Sequence, residues 1–468
     1  MQENHLDYSG TLKGVEVRDE RGMISQELFK LIDDAIEQRD SDHLISLTQD
    51  LHEADLGDII EALSPRDRID FLELLADDFD FTVLTELDDS LRLKIVEALP
   101  NKRVAEGISE LDSDDAIVIL ADMEEEDQEE ILAALPALDR IQLKRSLDYP
   151  EDSAGRLMQT EFIAVAPFWS VGQTIDYMRE TQDLPDEFNQ IFVIDPGHRL
   201  LGSVSLDTLL RSRRPTKISE IQHEERLFVE AGQDQEYVSR LFERYDLLSA
   251  AVLDEGERLV GVITIDDIVD VIHEEADEDI KRLGGVGDEE ITDTVLETMR
   301  SRFIWLSVNL VTAILASSVI GLFDTTIQQM VALAVLMPIV ASMGGNAATQ
   351  TMTVAVRALA MQDLDSFNVL RVVSREVYVA VLNGFAFAII LGVVAWLWFS
   401  NYELGIVIGA ALIVNLFFAG LAGILFPIGL QKVGIDPAIA SSVFITTVTD
   451  VVGFFAFLGL AGWWFGLL

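Results

Sequence analysis

The sequence predicts a multidomain chain: an all-α superhelical N-terminal domain, an α/β domain built on a tandem repeat, a long connecting helix and a five-helix α transmembrane domain. Three observations predict it. Acidic residues crowd into the first 300 positions, one strand–turn–strand–helix block occurs twice, and five long apolar stretches follow Arg302. Of 81 acidic and 33 basic residues, 7 and 5 fall after residue 300, leaving a net charge of −46 before that point and −2 after it. The first part reads as soluble and the second as membrane. A length of 468 residues agrees with several domains.

So acidic a domain repels nucleic acid and anionic lipid and attracts cations. The plain alternative is that acidity serves solubility alone. The chain has no cysteine, which removes disulfides, thiolate catalysis and zinc–thiolate sites. Met1-Gln2-Glu3-Asn4-His5 lacks the basic-then-apolar pattern of a leader, so the soluble half is expected to stay in the cytoplasm.

After a tail at 1–24, residues 25–150 carry helical periodicity with repeated Leu pairs, as in "DLGDIIEALSPRDRIDFLELL" and "SDDAIVILADMEEEDQEEILAALP". Pro65, Pro100 and Pro136 punctuate short helices, which predicts a helical stack. Residues 151–213 and 214–273 then repeat one another. "IFVIDPGHRLLGSVSLDTLL" (Ile191–Leu210) aligns with "AAVLDEGERLVGVITIDDIV" (Ala250–Val269), and amphipathic helices at Val171–Glu180 and Gln235–Tyr245 precede them. The block resembles a tandem pair of CBS domains. That resemblance implies an adenine nucleotide such as ATP, held through a Ser/Thr-x-x-Asp at the last helix. The second repeat has Thr264 and Asp267, whereas the first has Ser205 followed by Thr208. The alternative is a purely structural pair of repeats.

Residues 270–300 read as one long helix toward the membrane, interrupted at Gly284-Gly285, with residues 274–300 as the connector. Glu275, Glu278, Asp279 and Arg282 share one face at i, i+3, i+4 and i+7. Like charges so spaced destabilise a helix by a few tenths of a kcal/mol per pair, which invites a counter-cation. The transmembrane domain covers 301–468, with spans expected at Phe303–Phe323, Ile327–Val356, Val377–Phe399, Leu404–Leu430 and Pro437–Leu468. Each reaches the ~20 apolar residues that a crossing requires. Arg302, Arg357, Arg371, Arg375 and Lys432 fall on one side if the amino terminus is inside, which places the C-terminus outside.

Ionisable groups at membrane depth cost roughly 2.5–3.5 kcal/mol on insertion scales, so each asks for a function. Asp450 lies well inside the fifth span, where Ser442, Thr446 and Asp450 stack at intervals of four with Thr447 alongside. On the second span Asn346, Gln350, Thr353 and Arg357 form a matching stripe, after Pro338 and Gly344-Gly345. Pro with paired Gly suggests a kinked or broken helix lining a water-filled path; close helix packing is the alternative. Asn415 and Asn309 are further polar positions. One carboxylate per chain with Thr and backbone oxygens suits Mg2+, which keeps much of its water and takes one or two carboxylates. In a symmetric homodimer two Asp450 side chains would face each other. This chemistry alone also admits Ca2+, Mn2+ and Co2+.

With these pieces in order, the chain resembles the MgtE family of magnesium channels over about residues 30–465. The most specific segments are "MPIVASMGGNAATQ", "RALAMQDLD" and "GIDPAIASSVFITTVTDVVG". The last implies that Asp450 is the selectivity carboxylate. The resemblance also implies regulatory Mg2+ sites, at Asp234, Glu236, Asp246, Asp267, Asp270, Glu275, Glu278 and Asp279, with Asp114 in the helical domain. Departures are Val443 for a frequent Pro, Ala348 for a frequent Gly, and Val118 where an acid usually follows Asp114 by four. The expected function is a magnesium-selective channel for uptake, closed when cytosolic Mg2+ bridges the acidic N, CBS and connecting ("plug") surfaces. Membrane lipid and a second copy of the chain are the expected partners, with no nucleic acid.

An enzyme finds no support: the sequence has no phosphate loop ending in Gly-Lys-Ser/Thr, no His-Glu-x-x-His, and no Ser/His/Asp grouping near the spans. A divalent-cation transporter coupled to Na+ or H+ would share Asp450 and the polar stripes. A sensor with a membrane anchor is the third reading.

Overall fold

The computed structural model describes residues 11–12, 15–181, 184–185, 188–223, 227–286, 295–360, 368–437 and 441–467. It divides into two compact units, Met1–His273 and Glu274–Leu468.

In the first unit, short helices between Gln26 and Leu147 pack on one continuous apolar core that includes Leu28, Ile59, Phe71, Leu91, Ile117 and Ile131. Their starts are set locally. Ser25 and Ser64 accept from backbone N–H groups of the first turn, and Pro65 follows Ser64 at the first helical position. Helix α1 (Ser113–Ala121) begins differently: Asp112 at its N-cap makes no capping bond.

The tandem repeat follows. Strands β1 (Ala164–Val165), β2 (Gln190–Ile194) and β3 (Leu200–Ser205) form one sheet, β1 parallel and β3 antiparallel to β2; helix α2 (Val171–Glu180) lies between β1 and β2, and α3 (Leu206–Arg211) follows β3. Strands β4 (Phe228–Glu230), β5 (Ser249–Leu253) and β6 (Leu259–Thr264) repeat the plan, with α4 (Gln235–Tyr245) between β4 and β5. Gln190 pairs with Ser205 and Ser249 with Thr264, so the register repeats at the spacing read from the sequence. Equivalent positions also meet: Arg199 bridges Arg258, and Gln190 Nε2 donates to the Ser249 carbonyl at 3.3 Å. Both amphipathic helices begin and end where the sequence places them.

Helix α5 (Ile265–Gly284) leaves β6 directly. The expected connector therefore starts five residues early and stops at the glycines: Gly284 ends the helix and Gly285 takes φ +70°, a left-handed stop that glycine adopts without a steric penalty. The rest of that expected helix, up to Asp293–Thr294, lies outside the described residues.

In the second unit five helices are long and apolar enough to cross a membrane: α6 (Val295–Gly321), α7 (Ala332–Ala360), α8 (Val369–Phe399), α9 (Tyr402–Val433) and α10 (Ser441–Phe465). A short helix at Asp324–Gln329 separates α6 from α7, so the second span begins later than expected. Helix α9 is buried along most of its length and packs on α7, α8 and α10, which makes it the centre of the bundle. Of the kinked or broken helix expected here, the break is absent: α7 runs through Pro338 and Gly344-Gly345. Gly344 serves close packing instead, since a Cβ there would stand 2.3 Å from Asn415 Nδ2 of α9. The segments Met361–Asp365 of "RALAMQDLD" and Ala438–Ala440 of "GIDPAIASS" fall outside the described residues.

Candidate cation sites

The first unit brings together acids that the sequence leaves 152 positions apart (Asp115 and Asp267, for example). Asp114 and Asp115 occupy the first turn of α1, and Asp266 and Asp267 the first turn of α5. What joins these turns is the segment Gln159-Thr160-Glu161. Gln159 exchanges two backbone hydrogen bonds with Val262 of β6, at 2.8 and 2.9 Å, three residues before α5. On its other side the segment grips α1. Glu161 Oε2 accepts from the Ser113 N–H at 3.2 Å and from the Ser113 hydroxyl at 2.7 Å, the Thr160 N–H donates to Ser113 Oγ at 2.7 Å, and Gln159 Nε2 donates to Asp112 Oδ2 at 3.2 Å. Glu161 thus supplies the helix cap that Asp112 does not, and one short strut fixes both acidic turns.

The electrostatics follow from this crowding. Burial, and after it Asp267 and Asp115, push the Asp114 carboxyl well above the usual carboxylate range. Burial and Asp266 raise Asp267, against the hydroxyl and N–H of Thr264, which donate to its Oδ2 at 2.9 and 3.3 Å. Asp115 is pushed up to about 6, by burial first and then by Asp112, Asp266, Glu86 and Glu53. Burial also raises Glu86, with Asp270 next, and it raises Asp270, partly offset by His273. The charges that raise Asp114, Asp115 and Asp267 are all carboxylates. Each would be relieved by a cation.

A smaller group lies in the second unit. Asp279 of α5 is pushed up to about 6 by burial, then by Asp436 of the α9–α10 link and by Glu275. Arg282, one turn on, pairs with both Glu278 and Asp436. Leu283 packs on the core formed by Ala348, Met352, Val356, Ala419 and Ile445, so the end of α5 is seated on α7, α9 and α10.

Within the bundle Asp450 is half-buried on α10, and among the described residues it has no hydrogen-bond or ion-pair partner. The Thr446 and Thr447 hydroxyls donate to the Val443 carbonyl, at 3.0 and 2.7 Å. With its proton so placed, the Thr447 oxygen keeps lone pairs for an outside donor such as a metal-bound water. The side chain of Ser442, third in that stripe, lies outside the described ones. Asn346 and Gln350 are exposed on α7, and Asn346 Nδ2 reaches Ser342 Oγ at 3.4 Å. The two stripes run on helices in contact, since a Cβ at Gly345 would lie 3.8 Å from Thr446 Cγ2.

The acids expected on the second repeat do not converge within one chain. Asp234 caps the start of α4, accepting from the Glu236 N–H at 3.0 Å, and Asp246 ends it in the left-handed region at φ 50°. An 11-residue helix separates them by about 16 Å. Glu236 pairs with Arg240 at 2.6 Å. Among the described residues no three acidic or His side chains meet at metal-ligand spacing. Mg2+ asks for less, since it is held through one or two carboxylates and retains water.

Sequence reasoning missed Glu53, Glu86, Asp112, Asp115 and Asp266 at the first cluster and Asp436 at the second. Asp115 and Asp266 were legible as neighbours of Asp114 and Asp267. Asp436 stands in "GIDPAIASS", whose Asp-Pro turn could have marked it. Val118, where an acid was expected four residues after Asp114, is exposed, and Asp115 is the second acid in the same first turn.

Comparison with known proteins supports this architecture piece by piece. Residues 337–460 match the family described as a divalent cation transporter, residues 51–152 the MgtE intracellular N domain, and residues 154–214 and 218–274 the CBS domain. The magnesium transporter MgtE of Enterococcus faecalis is 33% identical over 68% of this chain and 71% of its own length. That of Thermus thermophilus is 31% identical over 89% of this chain and 97% of its own, and that of Bacillus subtilis 29% identical over 89% and 92%. A solved structure, the cytosolic domain of the Mg2+ channel MgtE in complex with ATP, is 30% identical, with a TM-score of 0.49 over 52% of this chain and 99% of that one. The chain is a multi-pass membrane protein that belongs to the MgtE family of magnesium transporters.

Proposed function

We propose that the protein is an Mg2+-selective channel whose opening is governed by cytosolic Mg2+ at two acidic clusters, one around Asp114 and Asp267 and one around Asp279 and Asp436. The observation that carries the gating reading is the crowding of Asp114, Asp115 and Asp267, whose carboxyls are all raised by burial and by neighbouring carboxylates. At low Mg2+ these groups repel across the join of helical domain and CBS pair. Bound Mg2+ bridges the acids, draws them together and favours the closed arrangement, so high internal Mg2+ stops uptake and loss of the bridging carboxylates leaves the channel open. Asp234, Glu236, Asp246, Asp270, Glu275 and Glu278 contribute to the acidic field or to sites completed by a second copy in a homodimer.

Conduction runs past Asp450, with Thr446, Thr447, Asn346 and Gln350 facing the hydrated ion. An unpaired half-buried carboxylate supports this, because a structural carboxyl at membrane depth would be bonded to a partner. The positive-inside distribution of Arg and Lys supports a cytoplasmic amino terminus and an external carboxyl terminus. ATP is a candidate ligand of the CBS pair at Thr264 and Asp267. Because Asp267 also belongs to the first acidic cluster, nucleotide and divalent cation would act on one residue.

The test is influx into liposomes holding the full chain, with a Mg2+-sensitive dye inside. Influx is expected to persist without a Na+ or H+ gradient and to be lost in Asp450→Ala. Dependence on either gradient would favour a coupled transporter, and full selective influx in Asp450→Ala would refute the pore assignment.

A further inference from the structure

Asn415 of α9 is fully buried. Its Nδ2 donates to the Val340 carbonyl of α7 at 2.8 Å, while its Oδ1 has no partner. A carboxamide buried among apolar side chains costs stability, and an unpaired acceptor adds to that cost. Two glycines on two other helices make room for it. A Cβ at Gly344 of α7 would lie 2.3 Å from Nδ2, and one at Gly453 of α10 would lie 2.8 Å from the same atom. One side chain from α9 therefore fills a notch shared by α7 and α10 and is bonded to α7.

The notch adjoins both polar stripes. Gly344 precedes Asn346 by two residues, and Gly453 follows Asp450 by three, about one helical turn. In a bilayer, helices are held by close packing and interhelical hydrogen bonds, so such a pin fixes local helix spacing.

We infer that Asn415 is a positioning residue for cation passage: it pins α7 and α10 through α9 and so sets the gap between the Asn346–Gln350 and Thr446–Asp450 stripes. Discrimination between divalent ions of different size and hydration depends on that gap. The inference rests on the reading that ions pass beside Asp450.

The experiment measures Mg2+ and Ca2+ influx separately in liposomes containing the full chain, for the parent, Asn415→Leu and Asp450→Asn. Leu keeps a branched side chain but removes both the bond to Val340 and the unpaired acceptor. The Mg2+/Ca2+ influx ratio per folded molecule is expected to fall by about tenfold in Asn415→Leu, with no fall in the thermal unfolding midpoint. An unchanged ratio overturns the inference, as does a flux loss that only tracks lost protein. If Asn415→Leu does not fold, Gly344→Ala/Asn415→Ala, with one methyl group in the vacated space, carries the same measurement and the same two outcomes. Asp450→Asn separates the two layers of argument. If it behaves like the parent, the conduction reading fails and this inference with it. If it loses selectivity and the Asn415 variant does not, the positioning role alone fails.

Discussion

The two acidic clusters look alike in composition and differ in how their charge is balanced. Around Asp114, Asp115 and Asp267 the charges that raise the carboxyls are all negative, and the backbone strut at 159–161 holds the two acidic turns together. Around Asp279 and Asp436, Arg282 pairs with both Glu278 and Asp436. Among the described residues Asp114, Asp115 and Asp267 form no ion pair, whereas the second cluster carries a built-in cation in Arg282. Equal acidity therefore need not mean equal dependence on Mg2+. The first cluster should be the more sensitive to it, and the second should keep the end of α5 seated even when Mg2+ is scarce.

The largest effect is expected outside both clusters: Asp450→Ala should lower selective Mg2+ influx by roughly 100-fold or more, a loss of about 3 kcal/mol at the ion's path, read in liposomes. Removing the carboxylates that Mg2+ would bridge at the first cluster comes next. Asp114→Asn with Asp267→Asn should leave influx intact at low internal Mg2+ and raise the Mg2+ concentration for half-closure by about tenfold, the worth of about 1.4 kcal/mol. Neutralising Glu275, Glu278 and Asp279 together should likewise keep the channel open at high internal Mg2+; normal closure there would confine gating to the first cluster. A smaller and opposite effect is expected of Arg282→Gln. With its built-in cation gone, the second cluster should bind Mg2+ more tightly and close the channel at about threefold lower Mg2+. No change would show that Arg282 is a passive tie.

The smallest expected effect is a pH dependence. Asp115 is raised from an ordinary 3.8 to about 6, so the folded state binds more protons than the unfolded one between those values. Without Mg2+ its contribution is therefore unfavourable above that window, and stability should rise as pH falls from about 6 toward 4. The gain for this group, discounted for partial exposure, is about 1 kcal/mol. Asp279, raised to about 6 as well, acts in the same direction. Saturating Mg2+ should flatten the dependence, because metal and proton compete for the same oxygens. Thermal unfolding scans across that range, with and without Mg2+, check both statements.

Much of the architecture was legible because it rests on local signals. The repeat fixed α2 and α4 to the residue, since each is an amphipathic run with its own start, Ser170 or Asp234. The spans followed from length and apolarity, and Asp450 stood out because a carboxylate at that depth is costly. What escaped depends on distance in space. Glu161 reaches Ser113 across 48 positions, and Arg282 reaches Asp436 across 154. The break expected at Pro338 and Gly344-Gly345 failed for a similar reason. The glycine there answers to Asn415, 71 positions away on another helix, and not to its own backbone.

The most direct test of the central claim is Mg2+ influx into liposomes bearing the full chain, recorded while Mg2+ on the side of the soluble unit is raised stepwise. Influx is expected to fall steeply in the parent and to stay near its starting level in Asp114→Asn/Asp267→Asn over the same range. Influx in the parent that does not respond to Mg2+ on that side would contradict it.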